Sequence, residues 1–165
     1  MTASWRPAGP GDLADIMAIA AVVHPAFPED EAVFAERLRL YPAGCRLLVD
    51  EAGPLGYVVS HPWQLGGCPP LNGLIGAIPA EAEAYYIHDL ALLPAARGSG
   101  AAGTLVALLK DHAEESRLPA LSLVAVNGST GFWQRQGFAE RRPADPLKLA
   151  SYGADARFMV CPLAG

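Results

Sequence analysis

Cysteine, charged residues and long apolar runs are all scarce in this sequence of 165 residues. Its 3 cysteines are widely spaced and lack metal-ligand spacing. We therefore expect reduced thiols at Cys45, Cys68 and Cys161, as in a cytoplasmic protein, and no metal site. No apolar run approaches the roughly 20 residues that span a bilayer, and residues Met1 to Arg6 do not resemble a signal peptide. These absences favour a cytoplasmic protein that does not associate with membranes.

Positive charge is also in short supply. The chain has 12 Lys and Arg against 17 Asp and Glu, which gives a net charge of −5. Binding to nucleic acid would demand a basic face, so we expect no nucleic acid partner. The acidic balance is compatible with a cationic amine as ligand. With 52% hydrophobic residues, the chain can build a full core, and we predict one domain over residues 1–165.

Apolar periodicity along the chain alternates between strand-like and helix-like segments. Strands are predicted at residues 4–6, 46–50, 55–60, 86–93, 121–126, 138–142 and 158–162. Helices are predicted at residues 11–23, 30–40 and 98–117, with a short one capped by Ser129. Residues 61–82 are rich in glycine and proline and are predicted to form a mobile loop that exposes Cys68. This order predicts an α/β fold, with one mixed, twisted sheet and helices on both faces.

The most informative segment is the glycine-rich turn Arg97–Gly103, which follows an apolar strand and opens a helix. Gly98 and Gly100 lack the Cβ atoms that would keep a ligand away from the backbone. The first N–H groups of the helix have no internal partner and lie at the positive end of its dipole. Arg97 adds a fixed positive charge. The turn therefore predicts a cradle for the phosphates of a cofactor.

Other interpretations of this turn are weaker. The spacing of Gly98, Gly100 and Gly103 matches a dinucleotide-binding fingerprint, but that fingerprint belongs to the first strand–helix unit of a domain. The acidic residue expected about 20 positions later is also missing. A Walker-type loop is excluded, because Thr104 follows Gly103 with no lysine between them. An ordinary glycine-rich connection remains as an alternative.

The segment Arg97–Ala102 resembles the acyl-coenzyme A loop of the GNAT superfamily of N-acetyltransferases, whose pattern is Gln/Arg-x-x-Gly-x-Gly/Ala. Leu90-Ala91-Leu92 resembles the strand triplet that precedes that loop. Asn127, Phe132-Trp133 and Gly137-Phe138 resemble the second half of the family's core. The resemblance covers about a third of the chain. It implies a GNAT fold with a cleft between two splayed strands, and acetyl-CoA or another acyl-CoA as the co-substrate.

The resemblance also implies which residues meet the cofactor. These are Leu90, Ala91, Leu92, Arg97, Gly98, Ser99, Gly100, Ala101, Ala102, Asn127, Phe132 and Trp133. Asn127 would meet the pantetheine amides or simply cap a helix. Many family members have a tyrosine at the place of Trp133, where its hydroxyl protonates the departing sulfur. An indole cannot act as an acid near neutral pH. Trp133 is therefore expected to pack, leaving that role to water, to Tyr152 or to no residue.

His88 is the first candidate for the catalytic base, because acyl transfer to an amine requires removal of a proton. Its imidazole has an ordinary pKa of about 6.5, suited to neutral pH, and some family members place a histidine at this position. A structural histidine is the alternative. Strand alternation would put Tyr86, His88 and Leu90 on one face, so Tyr86 could line the acceptor pocket or donate a hydrogen bond. Asp89, on the other face, is expected to be structural.

Other candidates for the acceptor side lie before and within the long loop. Glu83, like Glu81, could bind a cationic substrate, although such glutamates are often merely solvated. Trp63 could cap an apolar pocket or pack on the loop itself. His24 and His61 each precede a proline and are expected at turns, and the second could border the acceptor cleft.

Together these features predict an acyl-CoA-dependent N-acyltransferase. It would move an acetyl group to a primary amine of a small molecule or peptide by direct attack in a ternary complex. A non-catalytic CoA-binding or sensor module of the same fold is the alternative, favoured by the absent tyrosine. A nucleotide-dependent oxidoreductase rests only on the glycine spacing. Exposed edge strands of such a fold often pair, which leaves a homodimer open.

Overall fold

The computed structural model describes residues 2–163, which form seven strands and five α-helices. The strands are β1 (Ser4–Pro7), β2 (Cys45–Asp50), β3 (Gly53–Trp63), β4 (Ala84–Leu92), β5 (Ala120–Ala125), β6 (Ala139–Glu140) and β7 (Arg157–Pro162). The helices are α1 (Leu13–Val23), α2 (Glu31–Leu40), α3 (Ala101–Glu115), α4 (Thr130–Arg135) and α5 (Pro146–Ala150). Short 3-10 turns cover Pro10–Asp12, Pro42–Gly44 and Pro94–Ala96. Within this part of the chain, no helix is long and apolar enough to cross a bilayer.

All strands join one mixed sheet in the order β1-β2-β3-β4-β5-β7-β6. Neighbouring strands are antiparallel except β4 and β5, which run parallel. These two strands pair only from Tyr85–Leu121 to Ile87–Leu123, although β4 continues to Leu92 and β5 to Ala125. The sheet therefore opens between them, as the family resemblance implied.

Helices cover both faces of the sheet, as predicted. On one face, α3 and α4 bury Leu105, Leu109 and Trp133 against Leu121 and Leu123 of β5. On the other face, α1 and α2 pack on β2 and β3, burying the side chains of Ile16, Ile19, Phe34 and Leu38. Each fully buried aliphatic or aromatic side chain of this kind contributes about 1.5–3 kcal/mol. The two cores thus pack against opposite faces of the sheet.

A bulge in β4 changes which side chains share a face. The register between β3 and β4 shifts between Val59 and Ser60, so that His88 is the extra residue in β4. Leu90 consequently packs against the core beneath α3, whereas Tyr86 lies in a cluster on the opposite face. The prediction that Tyr86, His88 and Leu90 share one face is therefore wrong, because simple alternation stops at the bulge.

The long connection after β3 is fastened to α2 and is not the free loop that its composition predicts. Strand β3 runs on to Trp63, so the connection is shorter than expected. The buried Glu36 carboxylate accepts hydrogen bonds from the N–H groups of Ile75 and Gly76 at 2.8 and 3.0 Å. Arg37, also buried, donates to the Gly73 carbonyl at 3.2 Å. Cys68 in this segment is buried as well, contrary to its expected exposure.

Two features near the chain's end differ from the predicted pattern. The five-residue helix α5 was not predicted; Asp145 caps it by accepting from the Leu147 N–H at 3.0 Å. Ser129 occupies the predicted cap position of α4, but its hydroxyl donates to the Val126 carbonyl at 2.6 Å. In both cases a short polar side chain forms a hydrogen bond with a nearby backbone group, and such local bonds compete with regular secondary structure.

Candidate active site

The separation of β4 from β5 forms a cleft of about 570 Å³. It is floored by the two strands and closed at one side by the end of α1 and at the other by α4. Its lining consists of Val23, His24, Ile87, His88, Asp89, Leu90, Leu92, Arg97, Ala102, Leu123, Val124, Val126, Asn127, Ser129, Phe132 and Trp133. The cleft is thus apolar along its length, with polar groups at its two ends.

One end is the glycine-rich turn before α3. Gly98 and Gly100 have φ angles of +78° and +84°, and a Cβ at either would meet nothing within 4 Å. Gly100 is the cap of α3, whose first N–H groups point outward without partners in the helix. Ser99 stiffens the turn by donating to the Ala96 carbonyl at 2.6 Å. With exposed Arg97 beside them, these groups can hold an anion such as a pyrophosphate.

The backbone of β4 forms the wall of the cleft beyond Ile87. From His88 onward β4 has no pairing with β5. Apart from the backbone of Leu90, which contacts His24, main-chain groups on that edge can therefore bond a ligand lying between the strands. Such N–H groups can also stabilise negative charge on a reacting carbonyl oxygen. The side chain of Ala91 points away, into the core under α1 and α2. Any contact of Ala91 with a ligand is therefore through its backbone.

The opposite wall carries aromatic side chains and one amide. Trp133 is buried edge-to-face against Phe132 and Phe138, with ring centroids 4.9 and 5.3 Å apart. It therefore packs, as expected for an indole without acid function. Asn127 has a left-handed φ of +57°, and its Nδ2 lies 2.9 Å from Nδ1 of His24. The amide thus links the end of β5 to the end of α1.

His88 is buried and held by a carboxylate. Its Nε2 lies 2.8 Å from Oε1 of Glu29, with side chains only 1% and 6% exposed. The other oxygen of Glu29 accepts from the Asn72 N–H at 3.0 Å. Nδ1 of His88 has no hydrogen-bond partner among residues 2–163. This nitrogen can therefore accept a proton while Glu29 fixes the ring.

A second histidine–carboxylate pair lies beside the first. Nε2 of His24 is 2.9 Å from Oδ1 of Asp89, and the Tyr57 hydroxyl donates to the other Asp89 oxygen. Burial lowers the pKa of His24, but Asp89, a backbone contact at Leu90 and the charge of Glu29 outweigh it and raise that pKa above its ordinary value. The contact with Asp89 therefore favours the protonated form of His24.

The two pairs meet in a small pocket of about 30 Å³ that continues the cleft. The cleft and pocket share His24, His88, Asp89, Val124 and Val126. The pocket alone adds Phe27 and Glu29 from the α1–α2 connection, and Leu71 and Tyr152 from later segments. Two groups that can exchange protons thus face the inner end of a long cleft.

Most sequence-predicted residues come together around this cleft. Those that line it are His88, Leu90, Leu92, Arg97, Ala102, Asn127, Phe132 and Trp133. The adjoining turn contains Gly98, Ser99, Gly100 and Ala101.

Three predicted acceptor residues lie outside the lining. Tyr86 is fully buried behind β4, and burial raises the pKa of its hydroxyl well above the ordinary value. Trp63 packs on His61 with ring centroids 5.4 Å apart. Glu83 is exposed, and its backbone N–H donates to the Trp63 carbonyl at 3.0 Å.

Other expectations also change in the structure. Tyr152 lines the small pocket, where its hydroxyl donates to the Pro69 carbonyl at 2.9 Å and burial raises its pKa. It is therefore unsuited to protonate a leaving group. Asp89 is in the site, beside His88, because the bulge brings consecutive side chains together. Sequence reasoning did not place His24 and Glu29 at the pocket, since a short irregular connection carries no periodic signal. Among residues 2–163, no group of three or more His, Cys, Asp or Glu is arranged to hold a metal ion.

Comparisons with known proteins agree with this fold. A family model described as "Acetyltransferase (GNAT) family" matches residues 13–138. The fold is similar to the loading GNATL domain of CurA from Lyngbya majuscula, with a TM-score of 0.81 and 12% identity over 98% of each chain. It is also similar to Arabidopsis thaliana Naa50 in complex with a bisubstrate analogue, CoA-Ac-MVNAL. That TM-score is 0.75, with 14% identity over 99% of this chain and 100% of the other. No curated protein matches the chain.

Proposed function

The chain belongs to the GNAT acetyltransferase family, and from that membership we propose that it is an acyl-CoA-dependent N-acyltransferase, with acetyl-CoA as its donor. It moves the acetyl group to a primary amine of a small molecule or peptide within a ternary complex. The observation that carries the proposal is the glycine-rich turn at the mouth of a cleft between two separating strands. That turn suits a pyrophosphate, and the cleft suits the extended pantetheine arm.

The donor's phosphates lie on the turn, held by Arg97 and the backbone N–H groups of residues 98–100 and 102, while the Ala101 N–H donates to the Ser99 hydroxyl at 3.3 Å. The pantetheine arm follows the free edge of β4 beside Leu90 and Leu92, with Asn127 and Phe132 on the far wall. The thioester carbonyl then reaches the β4 backbone near the bulge. A CoA conjugate in the similar Naa50 structure supports this use of the cleft.

His88 serves as the base at the inner end of the cleft. Glu29 holds the ring through Nε2, and Nδ1 takes a proton from the amine. Tyr86 packs on the buried side of that ring, with centroids 6.2 Å apart, and positions it. The amine nitrogen bonds to the carbonyl carbon, the carbon–sulfur bond breaks, and the CoA thiolate leaves. A thiol of ordinary pKa, about 8.5, needs no strong acid for this step, which is consistent with Trp133 at this wall.

The first experiment measures CoA binding by calorimetry. Gly100→Ala places a methyl group where the phosphates approach, and we expect CoA affinity to fall about tenfold or more. Gly76→Ala is the matched control, because Gly76 has a similar φ of +79° and equally open surroundings, but lies in the β3–β4 connection and does not line the cleft. Equal CoA affinity in the two variants would contradict the assignment of the turn.

A non-catalytic CoA-binding module is the second candidate, favoured by Trp133, which supplies no acid for the leaving thiolate. CoA binding without release of thiol from acetyl-CoA, on any amine tested, would identify it.

We further propose that residues 1–165 form one catalytic domain. A cytoplasmic location is proposed as well, supported by the free state of all three buried cysteines.

A further inference from the structure

The small pocket at the inner end of the cleft is where an acceptor must bring its nitrogen. It is built by the α1–α2 connection, the bulge of β4 and the end of β5, together with Leu71 of the β3–β4 connection and Tyr152 after α5. Its volume of about 30 Å³ leaves room for little more than one amino group. The rest of any acceptor must extend past the apolar side chains of Phe27, Leu71 and Val126. The groups that line the pocket therefore select among acceptors mainly through their contacts with the nitrogen and the atoms bonded near it.

The fixed charges that line this pocket are all negative. Glu29 and Asp89 are its two carboxylates, and its other titratable groups are His24, His88 and Tyr152. No lysine or arginine of the described chain lines it. When both imidazoles are neutral, the pocket carries two negative charges with no fixed positive charge to balance them. Burial strengthens their effect, since the surroundings screen charge less than water does.

The carboxylates also have capacity for another donor. Each oxygen already has one partner: Glu29 binds His88 and the Asn72 N–H, while Asp89 binds His24 and the Tyr57 hydroxyl. A carboxylate oxygen can accept two hydrogen bonds. An ammonium group, with three donors and a positive charge, fits this arrangement. A second carboxylate would be repelled by it.

We infer, on the basis of the proposed function, that the acceptor is a cationic alkyl- or arylalkylamine with no carboxylate beside its nitrogen, held by Asp89 and Glu29. The ammonium gives one proton to a neutral imidazole of the site before its nitrogen attacks the thioester. The second proton leaves the nitrogen as the carbon–sulfur bond breaks and goes to the departing CoA thiolate. The apolar part of the amine lies against Phe27 and Val126. Free α-amino acids are excluded, because their carboxylate would lie within a few ångströms of two buried negative charges.

Matched pairs of acceptors test this inference in a thiol-release assay with acetyl-CoA. Phenethylamine and phenylalanine, and likewise tyramine and tyrosine, differ chiefly by one carboxylate. We expect kcat/KM to be about 100-fold higher for the amine of each pair, because one unfavourable charge contact is removed. Equal values, or a preference for the amino acid, would overturn the inference while leaving the enzyme's activity established.

Variants identify which groups discriminate. Asp89→Asn and Glu29→Gln should each reduce the amine-to-amino-acid ratio by about tenfold, since each removes one of the two charges. Glu114→Gln, on the exposed side of α3, is the matched control and should leave the ratio unchanged. Unchanged ratios in both site variants would contradict the proposed role of the carboxylates.

If no turnover is found, acceptor binding still tests the acceptor class separately from the proposed acyltransferase activity. The melting temperature of the CoA complex is then measured with phenethylamine and with phenylalanine. Stabilisation by the amine alone would support the acceptor class while contradicting catalysis. Stabilisation by both or by neither would overturn the acceptor class.

Discussion

At the scale of single residues, the site is governed by what surrounds each histidine. His24 and His88 each meet a carboxylate across the α1–α2 connection, whereas His61 is buried among the rings of Trp63 and Tyr86. The pKa of the imidazole is therefore shifted in opposite directions at different positions. His24 has a raised pKa, while burial lowers the pKa of His61 to about 3.

The raised pKa of His24 predicts how acceptor binding changes with pH. His24 lies next to Asn127 and to the pair of His88 and Glu29. When His24 is protonated, its positive charge competes with that of a cationic amine for the carboxylates of Asp89 and Glu29. The KM for the amine should therefore fall, by about tenfold, as pH rises through the His24 pKa. In His24→Gln this fall should be lost, whereas the control His112→Gln, beside Tyr41, should keep it. The measurement is KM between pH 6 and 8.5; the same fall in His24→Gln would contradict the prediction.

The lowered pKa of His61 predicts a loss of stability in mild acid. The unfolded chain takes up the proton below about pH 6.5, while the folded state excludes it until about pH 3. The stability that neutral, buried His61 contributes is thus complete above the pKa of the unfolded state. It is lost as the pH falls toward the pKa of the folded state. Relative to His61→Gln, the protein should lose about 2 kcal/mol more stability between pH 7 and 5. The measurement is the unfolding free energy from urea denaturation at each pH. The same change in unfolding free energy with pH for the two proteins would show the prediction to be wrong.

At the scale of elements, long periodic segments could be predicted from the sequence, and irregular ones could not. The predicted helices at 30–40 and 98–117 correspond to α2 and α3, and the glycine turn lies at the start of α3 as expected. The bulge at His88 could not be foreseen, because it depends on pairing with β3. The same is true of Glu36 and Arg37, whose hydrogen bonds to the long connection join residues far apart in sequence. His24 and Glu29 enter the site for a similar reason.

Close packing between elements makes Gly44 indispensable to the fold. A Cβ atom there would lie 1.9 Å from the Ser60 carbonyl oxygen, where the Ser60 hydroxyl also bonds the Gly44 carbonyl at 2.7 Å. Gly44→Ala should therefore destabilise the protein by about 3 kcal/mol, through overpacking and the loss of this contact. Gly11→Ala, where a Cβ would meet nothing within 4 Å, should change stability by less than about 0.5 kcal/mol. Equal unfolding free energies for the two variants would contradict this packing.

At the scale of the whole molecule, the sheet consists of two halves joined by a short parallel contact. β1 to β4 form one half, and β5, β7 and β6 the other, with only the three pairs from Tyr85–Leu121 to Ile87–Leu123 between β4 and β5. The cleft follows directly from this limited pairing. A ligand that bonds the free edge of β4 and also contacts α4 would bridge the halves. The glycine turn, the cleft and the histidine–carboxylate pairs then lie in the order that a donor's phosphates, arm and acyl group require.

The most direct test of acyl transfer is release of CoA thiol from acetyl-CoA in the presence of amines, compared between the protein and His88→Gln. We expect turnover with amines and a fall in kcat of about 100-fold in His88→Gln, with CoA affinity unchanged because His88 lies at the far end of the cleft from the turn. Product mass, higher by one acetyl group, identifies the acceptor. CoA binding without thiol release on any amine would contradict the assignment as an N-acyltransferase, and full activity in His88→Gln would remove His88 from the mechanism.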